Sequence, residues 1–223
     1  MFINWDVTAR FDPSSLVDST QGVSTHGIPI PSYGNYGGPN YTAGVEGGTT
    51  PEGPNPIPAP RDDLDKLFWQ HDLVYQHVKD GLVPPKDVPN AIAQADATLV
   101  EGLYALTTKT TLGPEAFLYD ALATLTVGAK ILTTELAYLS PFDAGAVLTA
   151  VQAAIPNFEI GLAETPGKEA RSLHGALHVF EAHFAQLVQA MASFGSPSAP
   201  ESSNISPHVN ETSQQLLTIP RHA

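Results

Sequence analysis

From Leu64 to Val78 the apolar residues recur at helical spacing. Leu64, Leu67, Phe68, His71, Val74, Tyr75 and Val78 share one stripe, which predicts a helix over 62–79 with a histidine in the middle of its apolar face. Pro60 and the pair Asp62-Asp63 mark its start, since carboxylates there cap free N–H groups and suit the helix dipole. The breaker-rich run Asp80-Gly81-Leu82-Val83-Pro84-Pro85 interrupts the pattern. A second face then forms from Ile92, Ala95, Leu99, Leu103 and Leu106, predicting a helix over about 87–108 with Asp96 inside that face. Beyond Gly113-Pro114 a long helical pattern passes through Phe117, Leu118, Ala121, Leu122, Leu125 and Leu132 to Leu139, and Pro141 breaks it. A shorter apolar helix over about 143–155 ends at Pro156, and a further one covers about 167–194. Residues 1–60 are dense in Gly, Pro, Ser, Thr and Asn; they show no convincing strand or hairpin pattern beyond a short pairing or packing segment at Phe2-Ile3-Asn4-Trp5. Residues 51–60 read as a semi-extended proline-rich connector or as a wall of a site mouth. The fold class is mainly α.

Taken alone, His71 reads as a core histidine with its ring nitrogens satisfied. The second helix changes that reading. A short connection favours antiparallel packing, and His71 and Asp96 lie nearly equally far from its middle, so they are expected to meet at one level. A carboxylate in an apolar face costs roughly several kcal/mol unless it is paired and hydrogen-bonded. His71 is the obvious partner. Such a pair holds one imidazole nitrogen and leaves the other as an oriented base. That is half of a catalytic triad, with no Ser or Cys nucleophile in view. Upstream, Tyr33-Gly34-Asn35-Tyr36-Gly37-Gly38-Pro39-Asn40-Tyr41 is a glycine-rich loop whose carbonyls can turn inward, as a hard cation such as calcium requires. Asp72, next to the base, is placed to give carboxylate oxygens to the same ion.

Loop and helix together, with the helix reading Asp65-x5-His71-Asp72-x2-Tyr75, resemble the phospholipase A2 superfamily of calcium-dependent lipid hydrolases. The wording of the loop is especially similar to cysteine-free viral and microbial members. The resemblance covers about residues 33–104. It implies an antiparallel catalytic helix pair with a calcium loop, followed by additional C-terminal helices. His71 would be the general base that activates a water, with Asp96 orienting it and Tyr75 holding Asp96. Ca2+ would be held by Asp72 and the backbone carbonyls of Tyr36, Gly38 and Asn40, and the backbone N–H near Gly38 would face the oxyanion. Asp65 matches a support position at the start of the helix. Asn40 stands where the family usually has Gly, and no residue matches the second tyrosine that commonly bonds the buried Asp. The implied organisation is a catalytic core over 1–110 (calcium loop 33–41, helix pair 62–108), accessory helices over 111–194 and a flexible tail over 195–223.

Composition narrows the partners. With 10 Lys and Arg against 23 Asp and Glu, the net charge is −13, which argues against nucleic acid and against electrostatic capture by anionic membranes. A phospholipid substrate at a membrane or micelle surface would be met through an exposed apolar rim or interfacial aromatics. There is no cysteine, so packing rather than disulfides must hold the fold. No signal peptide is visible, and no transmembrane segment is expected, because Lys130 and Glu135 interrupt the apolar stretch 121–139. A calcium site of moderate affinity fills outside cells rather than at signalling-level cytosolic calcium, which favours action outside the producing cell, or as a released toxin or virion component. The helices after residue 110 complete the core, cover the mouth or bind a protein partner. His174 and His178, one turn apart with Glu181 near, read as packing histidines rather than metal ligands. The sequons at Asn40, Asn204 and Asn210 read as chance matches. The competing expectation is a catalytically weak or inactive calcium-binding interaction module of the same fold.

Overall fold

The start and stop of the first helix are fixed by side-chain and turn chemistry. The computed structural model describes residues 3–11, 28–109, 112–165, 167, 173 and 185, and within them α1 spans Asp63–Lys79. The Asp62 carboxylate caps it by accepting the Asp65 N–H at 2.8 Å. At the other end Gly81 takes a left-handed φ of 72°, and the Leu82 N–H returns to the His77 carbonyl at 2.9 Å. A 3-10 turn at Pro85–Asp87 leads into α2, Val88–Lys109. Leu67 packs on Gly102 while His71 meets Asp96, so α1 and α2 run antiparallel, as their common distance from the connection predicts.

The apolar pattern after Pro114 forms α3, Pro114–Lys130, but does not continue as one α-helix to Leu139. It widens into a π turn at Ile131–Glu135 and tightens into a 3-10 turn at Leu136–Tyr138. The last described helix, α4, spans Pro141–Glu164, and Ser140 caps it by accepting the Asp143 N–H. The expected stop at Pro156 is not observed. Proline there removes one N–H and costs about 3 kcal/mol in a helix interior, yet Pro156 and Gln152, whose carbonyl loses its donor, are both exposed and water can serve it. The turns beyond the proline bury Phe158, Gly161 and Leu162. Gly161 is needed for that contact: a Cβ at this position would lie 2.8 Å from the Leu118 Cα.

Strands are a second correction. An antiparallel pair forms from β1, Ile3–Phe11, and β2, Ile28–Tyr33, with Ile3 opposite Tyr33 and Phe11 opposite Ile28. Pro29 and Pro31 are tolerated because a two-stranded ladder leaves each strand with a free edge. A small hairpin joins β3, Tyr41–Thr42, to β4, Val45–Glu46, through Ala43 and Gly44, both at positive φ.

One apolar cluster runs from Ile3 and Ile30 through Leu64, Phe68 and Val100 into α3 and α4. Tyr119 ties the layers together, stacking on Tyr33 at 5.0 Å and meeting Phe68 edge-on at 5.5 Å. The described part of the chain after residue 110 therefore shares the core of the helix pair. Two stretches, Pro114–Tyr138, which contains most of the stretch 121–139 weighed from the sequence, and Pro141–Glu164, are long and apolar enough to cross a membrane by length and composition. The apolar window of the first is 67% buried inside the protein and that of the second 39%. Of the helix expected over 167–194, only residues 167, 173 and 185 are described; His174, His178 and Glu181, and the tail with Asn204 and Asn210, lie outside the described residues.

Asp120 is buried in α3 and accepts one hydrogen bond, from Thr107 at 2.9 Å, while its Oδ2 has no partner among the described residues. Burial raises its carboxyl to about 7, against a small lowering by Thr107. The folded state thus holds the proton more tightly than the unfolded chain. The penalty is absent below about pH 4, grows as pH rises, and is complete above pH 7, where it amounts to roughly 4 kcal/mol. Asp120→Asn is expected to stabilise the protein by about 2–4 kcal/mol at pH 8 and by little at pH 4, measured by denaturant unfolding at both values. The same variant should leave the Thr107 bond in place.

Candidate active site

The loop that precedes α1 is held by a buried carboxylate. Asp65, wholly inaccessible to solvent, accepts the backbone N–H of Tyr36 and of Arg61 at 2.8 Å and that of Asn35 at 3.0 Å. Burial pushes its carboxyl up and these donors pull it back. Gly34, at φ 58°, passes so close that a Cβ would lie 2.4 Å from the carboxyl carbon of Asp65. Tyr33 O–H donates to Asp62 and Tyr36 O–H to the Pro58 carbonyl, while Trp69 Nε1 donates to Pro51 at 3.0 Å. Residues 51–60 thus back the loop and α1. None of them lines the cavity described next, so the connector reading holds over the mouth-wall reading.

Two turns along α1 from Asp65, the His71 ring and Asp96 of α2 meet. Nε2 lies 2.7 Å from Asp96 Oδ1, and since a carboxylate only accepts, Nε2 carries the hydrogen. Nδ1 therefore faces away from Asp96, 3.5 Å from Asp72 Oδ1. Tyr75 O–H donates to the same Asp96 oxygen at 2.7 Å. Burial works against a charged imidazole, but hydrogen bonds and charge from Asp72 and Asp96 outweigh it and raise His71 to about 9. Burial likewise disfavours the Asp96 carboxylate, yet His71 and Lys130 hold it down at about 2.

Lys130 and Glu135 were not among the sequence candidates, where they served only as interruptions of an apolar run. Lys130 Nζ donates to Asp96 Oδ2 at 2.6 Å, to the Tyr75 hydroxyl at 2.7 Å and to Glu135 Oε1 at 2.7 Å. The signal that could have found them is the charge itself, since a Lys and a Glu five apart in an apolar helix need partners.

His71, Asp72, Tyr75, Asp96, Lys130 and Glu135 open on one cavity of about 820 Å³. Its wall carries Tyr36, Gly38, Asn40, His71, Asp72 and Asp96, so every site residue foreseen from sequence is brought to one place. Apolar side chains, among them Ile30, Phe68, Ile92, Leu99 and Val127, make up much of the rest. The donor set suits a hard cation. Asp72 Oδ2 is buried without a hydrogen-bond partner among the described residues, and burial raises its carboxyl, which a nearby positive charge would relieve. The Asn40 carbonyl accepts the Gly47 N–H at 2.7 Å and that of Gly38 the Tyr41 N–H at 3.1 Å, and each oxygen retains a second lone pair. Asn40 holds φ at 56°, a conformation Asn tolerates. Among the described residues no group of three or more acidic or histidine side chains converges to hold a metal. A site here would depend on one carboxylate and main-chain oxygens.

No family model, no curated protein and no solved structure matches this chain.

Asp65→Ala would leave the buried N–H groups of Asn35, Tyr36 and Arg61 without an acceptor. The expected loss is roughly 3 kcal/mol or more in denaturant unfolding. A change below 1 kcal/mol would show that the loop does not depend on this carboxylate.

Proposed function

We propose that the chain is a calcium-dependent phospholipase of the A2 type, hydrolysing the sn-2 ester of glycerophospholipids through an activated water. The observation that carries this reading is the 2.7 Å His71–Asp96 bond, which turns Nδ1 toward a cavity wall shared with Asp72 and the glycine-rich loop. A cation on Asp72 would offset part of the negative charge that raises His71 to about 9, and so free Nδ1 as a base. A water on the free Nδ1 then gives its proton to His71 as its oxygen attacks the ester carbonyl. Asp96 steadies the imidazolium, and Tyr75 holds Asp96 in place. The proton then passes from Nδ1 to the departing glycerol oxygen as the acyl–oxygen bond breaks. The Gly38 N–H is assigned to the oxyanion, and the apolar wall to an acyl chain. Asp72 with the carbonyls of Tyr36, Gly38 and Asn40 would hold Ca2+, which when bound supplies polarisation of the carbonyl and compensation of the oxyanion charge. Tyr138, 46% exposed at the cavity wall, and Phe142, 82% exposed nearby in sequence, offer interfacial aromatics for a lipid surface.

His71→Gln, and separately a calcium chelator, are expected to lower phospholipid hydrolysis by about 10³-fold or more with the circular dichroism of the fold retained. Undiminished turnover in chelator would remove the metal from the reaction. Calorimetry showing calcium binding in a protein without turnover would favour the binding module instead. Faster cleavage of a soluble short-chain ester than of aggregated phospholipid would point to another esterase.

A further inference from the structure

Resting on the hydrolase reading above, we infer that Lys130 and Glu135 act as one positioning unit for the His71–Asp96 pair, a charged brace supplied from the third helix. The geometry assigns all three ammonium donors of Lys130 to this role, on Asp96 Oδ2, the Tyr75 hydroxyl and Glu135 Oε1, at 2.6 to 2.7 Å. Asp96 is thereby held at both oxygens: His71 and Tyr75 occupy Oδ1, and Lys130 occupies Oδ2. A carboxylate fixed at both ends cannot turn about its own bond, so the imidazole that depends on it keeps one orientation. Tyr75 is braced as well, because its hydroxyl donates to Asp96 and accepts from Lys130.

Glu135 explains how a cation can stand there without spoiling the base. Alone, Lys130 would neutralise Asp96 and leave Asp72, 3.5 Å from Nδ1, as the one carboxylate charge beside an imidazolium at His71. With Glu135 ionised, the buried group of Asp96, Lys130 and Glu135 carries one net negative charge, which the imidazolium cancels when it forms. The chain builds this arrangement with a local irregularity. On an α-helix, residues five apart point roughly 140° away from each other, which would separate Lys130 from Glu135. The π turn at Ile131–Glu135 widens the coil and brings the Glu135 carboxylate back to Lys130. The helix thus departs from regularity at the place where this ion pair forms.

The test compares Lys130→Met, Glu135→Gln, their double variant and Lys130→Arg in the full chain. It uses two readouts: kcat and KM on phospholipid micelles with calcium, and the downfield proton resonance of the His71 Nε2–H, which needs no turnover. Lys130→Met is expected to lower kcat by about 10- to 100-fold with KM within about twofold, the scale seen for residues that orient a reacting side chain. The Nε2–H resonance should move upfield or vanish by exchange. Glu135→Gln should lower kcat by roughly 3- to 10-fold, and the double variant should fall less than the product of the two single losses, because the partners act as a unit. Lys130→Arg, which keeps the charge, should retain a third or more of kcat. Unchanged kcat and an unmoved resonance in Lys130→Met would overturn the inference, as would strict multiplicativity in the double variant. If Lys130→Met does not fold, Glu135→Gln decides: wild-type kcat overturns the inference and the stated loss supports it. If the wild-type chain hydrolyses no phospholipid, the hydrolase reading fails separately, and the resonance in the variants still decides the positioning role.

Discussion

The structure turns on one carboxylate kept out of water. Asp96 is 1% exposed, and a bare buried charge would cost several kcal/mol, roughly, unless donors replaced its lost hydration. They come from two of the helices packed on α2: His71 and Tyr75 from α1, and Lys130 from the end of α3. Helices that only bury apolar surface can slide by a turn at modest cost. Helices that must all bring donors to one oxygen pair cannot, so Asp96 sets the register of α1, α2 and α3 together. The apolar contacts around it, with Tyr119 against Tyr33 and Phe68, fill space within a register already chosen.

Asp65 applies the same constraint one step earlier. Its carboxylate gathers main-chain N–H groups from the glycine-rich loop and from the approach to α1, so the loop is fastened to the helix that carries the base. Asp65 and His71 lie on one rigid rod, and the distance from loop to imidazole is therefore fixed by helix geometry rather than by loop packing. That is how a segment with little secondary structure shares a cavity wall with Asp72 and His71. Precision in the loop comes from the rod.

Much of this was legible in the chain. The periodicities located both helices of the central pair, and a charged residue in each apolar face announced that they must meet. The roles expected of Tyr75, Asp65 and Asn40 came from the resemblance to the phospholipase A2 superfamily and not from spacing. The β1 segment was missed although its signal is in the chain: Ile3, Trp5, Val7, Ala9 and Phe11 alternate strictly with Asn4, Asp6, Thr8 and Arg10. Its signal was lost in a stretch dominated by Gly, Pro and Ser, and its partner β2 contains two prolines that argue against a strand. Pro156 misled in the opposite direction, since a proline stops a helix only when the lost bond and the displaced carbonyl cannot be served by water.

By itself the sequence determined the two helices of the central pair and the meeting of His71 with Asp96, because these depend on local periodicity, a cap and a short connection. Only the tertiary structure decided that Lys130 and Glu135 belong to the same cluster. Their partners lie tens of residues away on other helices, and the π turn that aims Glu135 is a departure from periodicity, which no periodic reading can detect. Local rules place groups along a rod. The arrival of a third rod at the same buried charge is set by how all the apolar faces pack at once.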